Sequence, residues 1–265
     1  MIEKVSKYHP DKLADRIGGA IVDLAYRMDT NPKVACEILL GHGNCFIINE
    51  TSLKFDVANI YDIVKRIAGD LTLRYIEVPQ DAHLSENQNH EVRCGDNGIF
   101  KGVPLTEEEK DISAVVRYMD TKFGTDGKYI LEHGDLIACQ SNATDGDMIK
   151  ACTESGYPNA IINPLGYWTG GFNVDTGAIN RKLGSDMAQS VTGGGLHGKD
   201  LSKADVSVNI YAFAKAQETG KTIECCCAIG DTEVGGLPYQ KIVDFARNYI
   251  EKLGGFEKLA EYGLF

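Results

Sequence analysis

The sequence predicts an α/β (α+β) fold of three related lobes. Short apolar runs separated by turn residues alternate with segments whose apolar residues recur at helical spacing. A strand pair followed by a helix recurs about three times along the chain, which favours related lobes over a single doubly wound sheet. The lobes are expected at 1–92, 93–159 and 160–265, without residue-by-residue identity between them. With 265 residues, 43% of them hydrophobic, the chain is long enough to bury a proper core.

The first predicted helix follows HPDK, where Leu13, Ile17, Ile21, Leu24 and Met28 form one apolar stripe. VACEILLG and CFIINE, joined by the turn-like HGN, read as a hairpin in which Glu37 and Glu50 stand inside otherwise apolar strands. VANIYDIVKRIAG is a second helix and closes the first β/α unit near residue 70. Residues 79–97 are polar and without period, the composition of a mobile surface loop that could act as a lid. Thr106 and Glu109 make a capping box for the next helix; KYILEHGDLIACQSN follows as a strand pair and DGDMIKACTESG as a short helix. Beyond the glycine-rich 160–198 comes a helix with a second expected capping box, Ser202 with Asp205. The strand TIECCCAIG, the helix LPYQKIVDFARNYIEKLGG and a short helical EKLAEYGLF complete the chain.

Lys and Arg number 27 against 38 Asp and Glu, a formal charge of −11 that repels the phosphates of a long nucleic acid. No nucleic-acid partner is expected. Nor is a membrane partner, since the sequence has no apolar run approaching about eighteen residues and MIEKVSKYHPDK is not a secretory signal, so a cytoplasmic location is expected. The eight cysteines, three of them consecutive at Cys225, Cys226 and Cys227, read as buried thiols; no Cys-x-x-Cys spacing favours zinc.

Three segments concentrate charge beside turn or helix-start signals. In KYHPDKLADRI, His9, Asp11, Lys12 and Asp15 crowd a helix start, where free amides and the helix dipole favour an anion; plain capping by Asp11 accounts for the pattern equally. NVDTGAINRK sets Asp175 on a tight turn ahead of the basic pair Arg181 and Lys182, or is a hairpin with a solvated pair. In TGGGLHGKDLSKAD a glycine run precedes Lys199, Lys203 and Asp205. Glycines let backbone amides approach a phosphate, and the two lysines can converge on it, although a flexible loop is the plainer reading. The segment is not a Walker A loop, because Asp follows the lysine.

HPDKLADRI, VACE, CGDNG at 94–98, INPLGYWTGGFNVDTG with Arg181 and Lys182, and GGG followed by GKDLSKAD together resemble the motifs of the S-adenosylmethionine synthetases, in that family's order and over almost the whole chain. The resemblance implies three pseudo-symmetric lobes and active sites shared between the subunits of a homodimer, or of a homotetramer built from two such dimers. It also implies ATP and L-methionine as substrates, two magnesium ions held by Asp11 and Asp205, and potassium held by Glu37. His9 would contact ATP near the bond to be broken, and Lys128, with Asp126 beside it, would also contact ATP. Asp175, Arg181, Lys182, Lys199 and Lys203 would line the triphosphate and methionine pocket, with Asp96 close by and Trp168 placed to stack on adenine. His9, Lys128, Arg181 and Lys199 would be catalytic. Glu50 would meet the methionine ammonium, and Gln88, Asp175 and Lys203 would also face methionine. The chain is shorter than typical members, mainly between CGDNG and INPLGYW. Tyr167 replaces the family's usual Arg, and Thr192 a usual His. A catalytically silent ATP or S-adenosylmethionine binder and a polyphosphate hydrolase are the competing readings.

Overall fold

The structure is a computed structural model that describes residues 1–87, 91–190 and 194–265, with backbone alone at 84 and 85. Strand β1 (Ile2–Val5) leads into helix α1 (Pro10–Met28). Pro10 suits the first helical position, and His9 caps the helix by accepting the Asp11 N–H at Nδ1. Leu13, Ile17 and Ile21 are buried as the spacing predicts, but the stripe stops short of the expected end: Leu24 is half-buried and Met28 exposed, and Ala14 and Ala25 are buried instead. Strands β2 (Val34–Gly41) and β3 (Asn44–Thr51) form the expected hairpin; helix α2 (Val57–Ala68) then carries the chain to β4 (Thr72–Pro79), which pairs parallel with β3. A parallel neighbour needs such a crossover. β4 was not expected; its residues alternate between exposed and half-buried and none is fully buried.

The polar stretch from 79 holds the five-residue helix α3 (Ala82–Glu86) before β5 (Gly98–Gly102). Helix α4 (Glu107–Lys122) starts at the Thr106–Glu109 capping box, with both reciprocal hydrogen bonds formed. Strands β6 (Gly127–Glu132) and β7 (Asp135–Gln140) and helix α5 (Asp145–Glu154) also follow the sequence reading. Then come β8 (Ile161–Ile162), β9 (Gly177–Ala178), α6 (Leu183–Met187), α7 (Ala204–Thr219), β10 (Ile223–Cys227), a two-residue hairpin of β11 (Glu233–Val234) and β12 (Leu237–Pro238), α8 (Tyr239–Leu253) and α9 (Phe256–Tyr262). The Ser202–Asp205 capping box is not formed. The Ser202 N–H donates to Asp200 and the Asp205 carboxylate accepts from Lys199, while Lys203, the N-cap of α7, has no side-chain acceptor with which to cap.

Strand order interlocks distant parts of this mixed α+β fold. One sheet runs β1-β6-β7-β8 and another β4-β3-β2-β9, while β5 pairs with β10. Thus β1 joins strands from the middle of the chain, and β9 reaches back to the hairpin. Helix α1 packs against β2, β9 and α9 and so sits at the centre. At Gly177 a Cβ would lie 2.1 Å from the Pro10 carbonyl oxygen, so only glycine lets β9 pass this close to the start of α1. Of the three consecutive cysteines, Cys225 and Cys227 are buried but Cys226 faces solvent, correcting the expectation that all are buried. Strand alternation puts neighbours on opposite faces. Among the described residues no helix is long and apolar enough to cross a membrane.

Candidate active site

The site residues fall into two groups separated by a buried charged core. The first gathers at the start of α1. The Asp11 carboxylate is buried; it accepts the Ala178 N–H at 2.8 Å, meets Lys182 Nζ at 2.7 Å and has Arg181 Nε 3.7 Å away. Pairing of β1 with β6 sets Val5 opposite Lys128, four residues before His9, and Lys128 Nζ contacts Glu3 at 2.9 Å. Burial pushes the His9 imidazole down to about 4; Lys182 and Lys128 add to the shift, while Asp11 and Asp175 oppose it. His9 is therefore a neutral ring at pH 7.

Asp126 lies just before β6 and beneath the Gly170–Gly171 turn. Burial raises it to about 6, helped by the charges of Asp175 and Asp11 and opposed by a hydrogen bond from the Gly171 backbone and by Lys182. Asp175 itself is exposed at its turn, where its carboxylate accepts the Thr176 N–H. Trp168 lines a cavity of about 350 Å³ with Cys139, Asn163, Pro164 and Leu165, and Cys139 stands opposite Lys128 in the β6–β7 register. His9, Asp11, Asp126, Lys128, Trp168, Asp175, Arg181 and Lys182 thus border one region.

The second group lies across the β2–β3 hairpin. Lys199 bridges to Ala35, and Ala35 pairs with Glu50, so the three form a row over the sheet. Lys199 Nζ reaches Asp205 Oδ2 at 2.6 Å in the first turn of α7. A Cβ on Gly194 would lie 2.3 Å from that same oxygen, so the glycine loop rests directly on Asp205. The turn with Asp96 abuts the same helix start, since the Gly95 N–H donates to the Ser202 carbonyl at 3.1 Å. Lys203 sits at this start near Lys33 and Asp200. Glu37 and Glu50 project from the outer face of the β4-β3-β2-β9 sheet, together with Leu39, Phe46, Ile48 and Ile76, each 44–55% exposed. Gln88 and Thr192 lie outside the described residues.

Between the groups is a buried tetrad that the sequence reading did not assemble. Lys12 Nζ lies 2.9 Å from Asp15 and 2.5 Å from Asp186; Asp186 also meets His197 Nε2 at 2.9 Å. Burial alone would raise the Asp186 carboxyl, but Lys12 and His197 hold it well below the usual carboxylate range. Asp15, Asp186 and His197 form the one acidic and histidine cluster of metal-binding size among the described residues. The Lys12 ammonium already touches both carboxylates, so it occupies the position of a cation. The tetrad ties the groups together. Asp186 follows Lys182 by one turn, with its N–H donating to the Lys182 carbonyl, and His197 precedes Lys199 by two residues. Asn180 accepts the His197 N–H and donates its own backbone N–H to Asp15. Lys12 and Asp15 were visible at helical spacing in the sequence, whereas Asp186 and His197 carried no signal of burial.

Residues 1–94 match the family model described as S-adenosylmethionine synthetase, N-terminal domain. An S-adenosylmethionine synthase from Acholeplasma laidlawii is 27% identical in a match covering 86% of this chain and 76% of that protein. One from Nitratidesulfovibrio vulgaris is 23% identical over 86% of this chain and 77% of its own. A third, from Helicobacter pylori, is 31% identical but over 40% of this chain and 32% of that protein. The chain is thus similar to S-adenosylmethionine synthases over most of its length, and residues 1–94 match that family's amino-terminal domain. The family's amino-terminal match includes His9, Asp11, Glu37 and Glu50, and so reaches residues of both groups. The two alignments that cover 86% of this chain carry the likeness beyond residues 1–94.

Proposed function

We propose that the chain is a methionine adenosyltransferase. The sulfur of methionine attacks C5′ of ATP, giving S-adenosylmethionine and tripolyphosphate, which is then hydrolysed to pyrophosphate and phosphate. The observation that carries this reading is the division of the charged residues into two preformed carboxylate–lysine groups, Asp11 with Lys182 and Asp205 with Lys199. A thioether needs no general base, but a departing triphosphate accumulates negative charge, and preorganised cations are the means of stabilising it.

Lys128, Arg181, Lys182 and Lys199 are the groups for the phosphate oxygens. His9, neutral and held by the Asp11 N–H, offers its remaining ring nitrogen beside the bond to be broken. Trp168 and its cavity suit adenine. Glu50 and Asp175 would hold the methionine ammonium, Lys203 and Gln88 the rest of that substrate, and Asp96 and Asp126 would border ATP. The buried carboxylates of Asp11 and Asp205 are hard oxygen donors that suit magnesium, and Glu37 suits potassium. Bound there, these ions would neutralise phosphate charge.

The exposed apolar sheet face beside Glu37 and Glu50 is the surface on which a second copy would pair, bringing the second group of one subunit to the first group of the other. In this reading the lobes 1–92, 93–159 and 160–265 act as one interlocked unit in the cytoplasm. Mass spectrometry after incubation with ATP, methionine and magnesium tests it. A sulfonium product supports the transferase, phosphate formed without methionine means a hydrolase, and bound nucleotide without turnover means a silent binder.

A further inference from the structure

Cys94 and Cys227 bring two sulfur atoms to 3.2 Å in a site where neither is more than 9% exposed. Both are free thiols. The surrounding backbone holds them together from both sides. The Cys94 N–H donates to the Asp231 carbonyl at 2.9 Å, the Cys94 carbonyl accepts the Gly230 N–H at 2.8 Å, and β10 pairs with β5 so that Cys227 lies opposite Gly98. The Cys94 thiol also approaches the Asp96 carbonyl at 3.0 Å, and the Cys227 thiol approaches it at 3.7 Å. To bond, the sulfurs need close by only about 1 Å, to a length of about 2.05 Å. No third cysteine, histidine or carboxylate joins the pair in a metal-sized cluster among the described residues.

We propose that Cys94 and Cys227 are a redox-modification site whose two thiols close to a reversible disulfide, fastening the Asp96 turn to strand β10. The chemistry assigns the roles. The hydrogen-bonding contact with Cys227 lowers the Cys94 thiol pKa despite burial, and the same contact raises that of Cys227. Cys94 is therefore the attacking thiolate. With a peroxide as oxidant, the Cys94 sulfur attacks one peroxide oxygen and the O–O bond breaks, giving a sulfenic acid and hydroxide. The Cys227 sulfur then attacks the Cys94 sulfur, the S–O bond breaks and water leaves. In sum, two thiols and one hydrogen peroxide become one disulfide and two waters. A dithiol reductant reverses the bond by exchange.

The position of the pair gives the bond a consequence. Cys94 is two residues from Asp96 and adjoins Gly95, whose N–H is bonded to Ser202 at the start of α7. The proposal concerns the covalent bond and does not depend on the transferase reading.

The experiment treats the reduced full-length chain with hydrogen peroxide, unfolds it, blocks free thiols and digests it without reductant. The expected result is a crosslinked peptide pair containing Cys94 and Cys227, two hydrogens lighter than the sum of its parts and released by dithiothreitol. The Cys226→Ser variant, which removes an exposed competing thiol, keeps that product; Cys94→Ser abolishes it and leaves Cys227 open to alkylation. Recovery of Cys94 and Cys227 as separately alkylated peptides at peroxide doses that oxidise Cys226 would overturn the proposal.

Discussion

Lys182 Nζ lies 2.7 Å from Asp11 Oδ2, although nearly two thirds of the chain separates the two residues. The contact exists because β9 runs beside β2 and passes the start of α1 at Gly177, delivering the next few residues to the Asp11 carboxylate. Asp11 is 1% exposed, so its charge is held by Lys182 and the Ala178 N–H rather than by water.

Lys182→Ala and Lys199→Ala should each slow S-adenosylmethionine formation by about two orders of magnitude or more, a common loss for removing one charge-stabilising group. The two lysines serve different carboxylates, so each variant should also bind tripolyphosphate more weakly by calorimetry. Near-normal turnover in either would remove that lysine from the mechanism.

Lys12→Met should destabilise the fold by about 3–5 kcal/mol, because it leaves the buried Asp15 and Asp186 carboxylates with His197 and the Asn180 N–H but no lysine to balance their charge. His197→Ala should cost less, about 1–3 kcal/mol, since Lys12 remains on both carboxylates. Urea midpoints at fixed slope measure both, and equal midpoints for Lys12→Met and the parent chain would contradict the pairing.

Two groups should give the pH–stability curve opposing slopes. Asp126 is raised from 3.8 to about 6, so between those values the folded chain keeps a proton that the unfolded chain has lost, and stability falls as pH rises. His9 is lowered from 6.5 to about 4, so in that window the unfolded chain binds the extra proton and stability increases with pH. Each term is bounded at about 3 kcal/mol. Asp126→Asn should therefore steepen the gain in stability from acid to neutral pH, and His9→Gln should remove it, as read from urea midpoints at several pH values between about 4 and 6.5.

Ile48→Glu should convert a dimer to monomer in sedimentation analysis while leaving the fold intact. Ile48 is 48% exposed on the outer sheet face, where its burial against a second copy is favourable and a carboxylate is not. Activity should fall with dissociation if sites are shared. A variant that remains dimeric would place the interface elsewhere.

Local signals accounted for most helices and hairpins. The first part of the α1 stripe (Leu13, Ile17 and Ile21), the Thr106–Glu109 box and the VACEILLG–CFIINE hairpin are each specified within about a dozen neighbouring residues, and each formed as expected, whereas Met28 at the end of the predicted stripe is exposed. The strands that were missed depend on distant partners. β1 reads as polar because of Lys4, yet that lysine is fully buried, donating to the carbonyls of Ser185 and Tyr262 at 2.8 and 2.9 Å with its ammonium over the Phe265 ring. No pattern around Lys4 announces acceptors so far along the chain. Ser202 and Asp205 had the right spacing for a cap, but Lys199 takes the Asp205 carboxylate and the Ser202 N–H donates to Asp200 instead.

Periodicity, turn residues and motif order belong to the chain itself, and they established a mixed α+β protein with charged segments resembling one family's. Which charges share a pocket was settled only by folding. The β9–β2 pairing joins Lys182 to Asp11, the Lys199–Ala35 bridge sets a lysine beside Glu50, and Asp186 and His197 close on Lys12 in the interior. Such contacts arise because ions removed from water must find opposite charge or hydrogen-bonding partners wherever the packed backbone brings them, irrespective of separation along the chain.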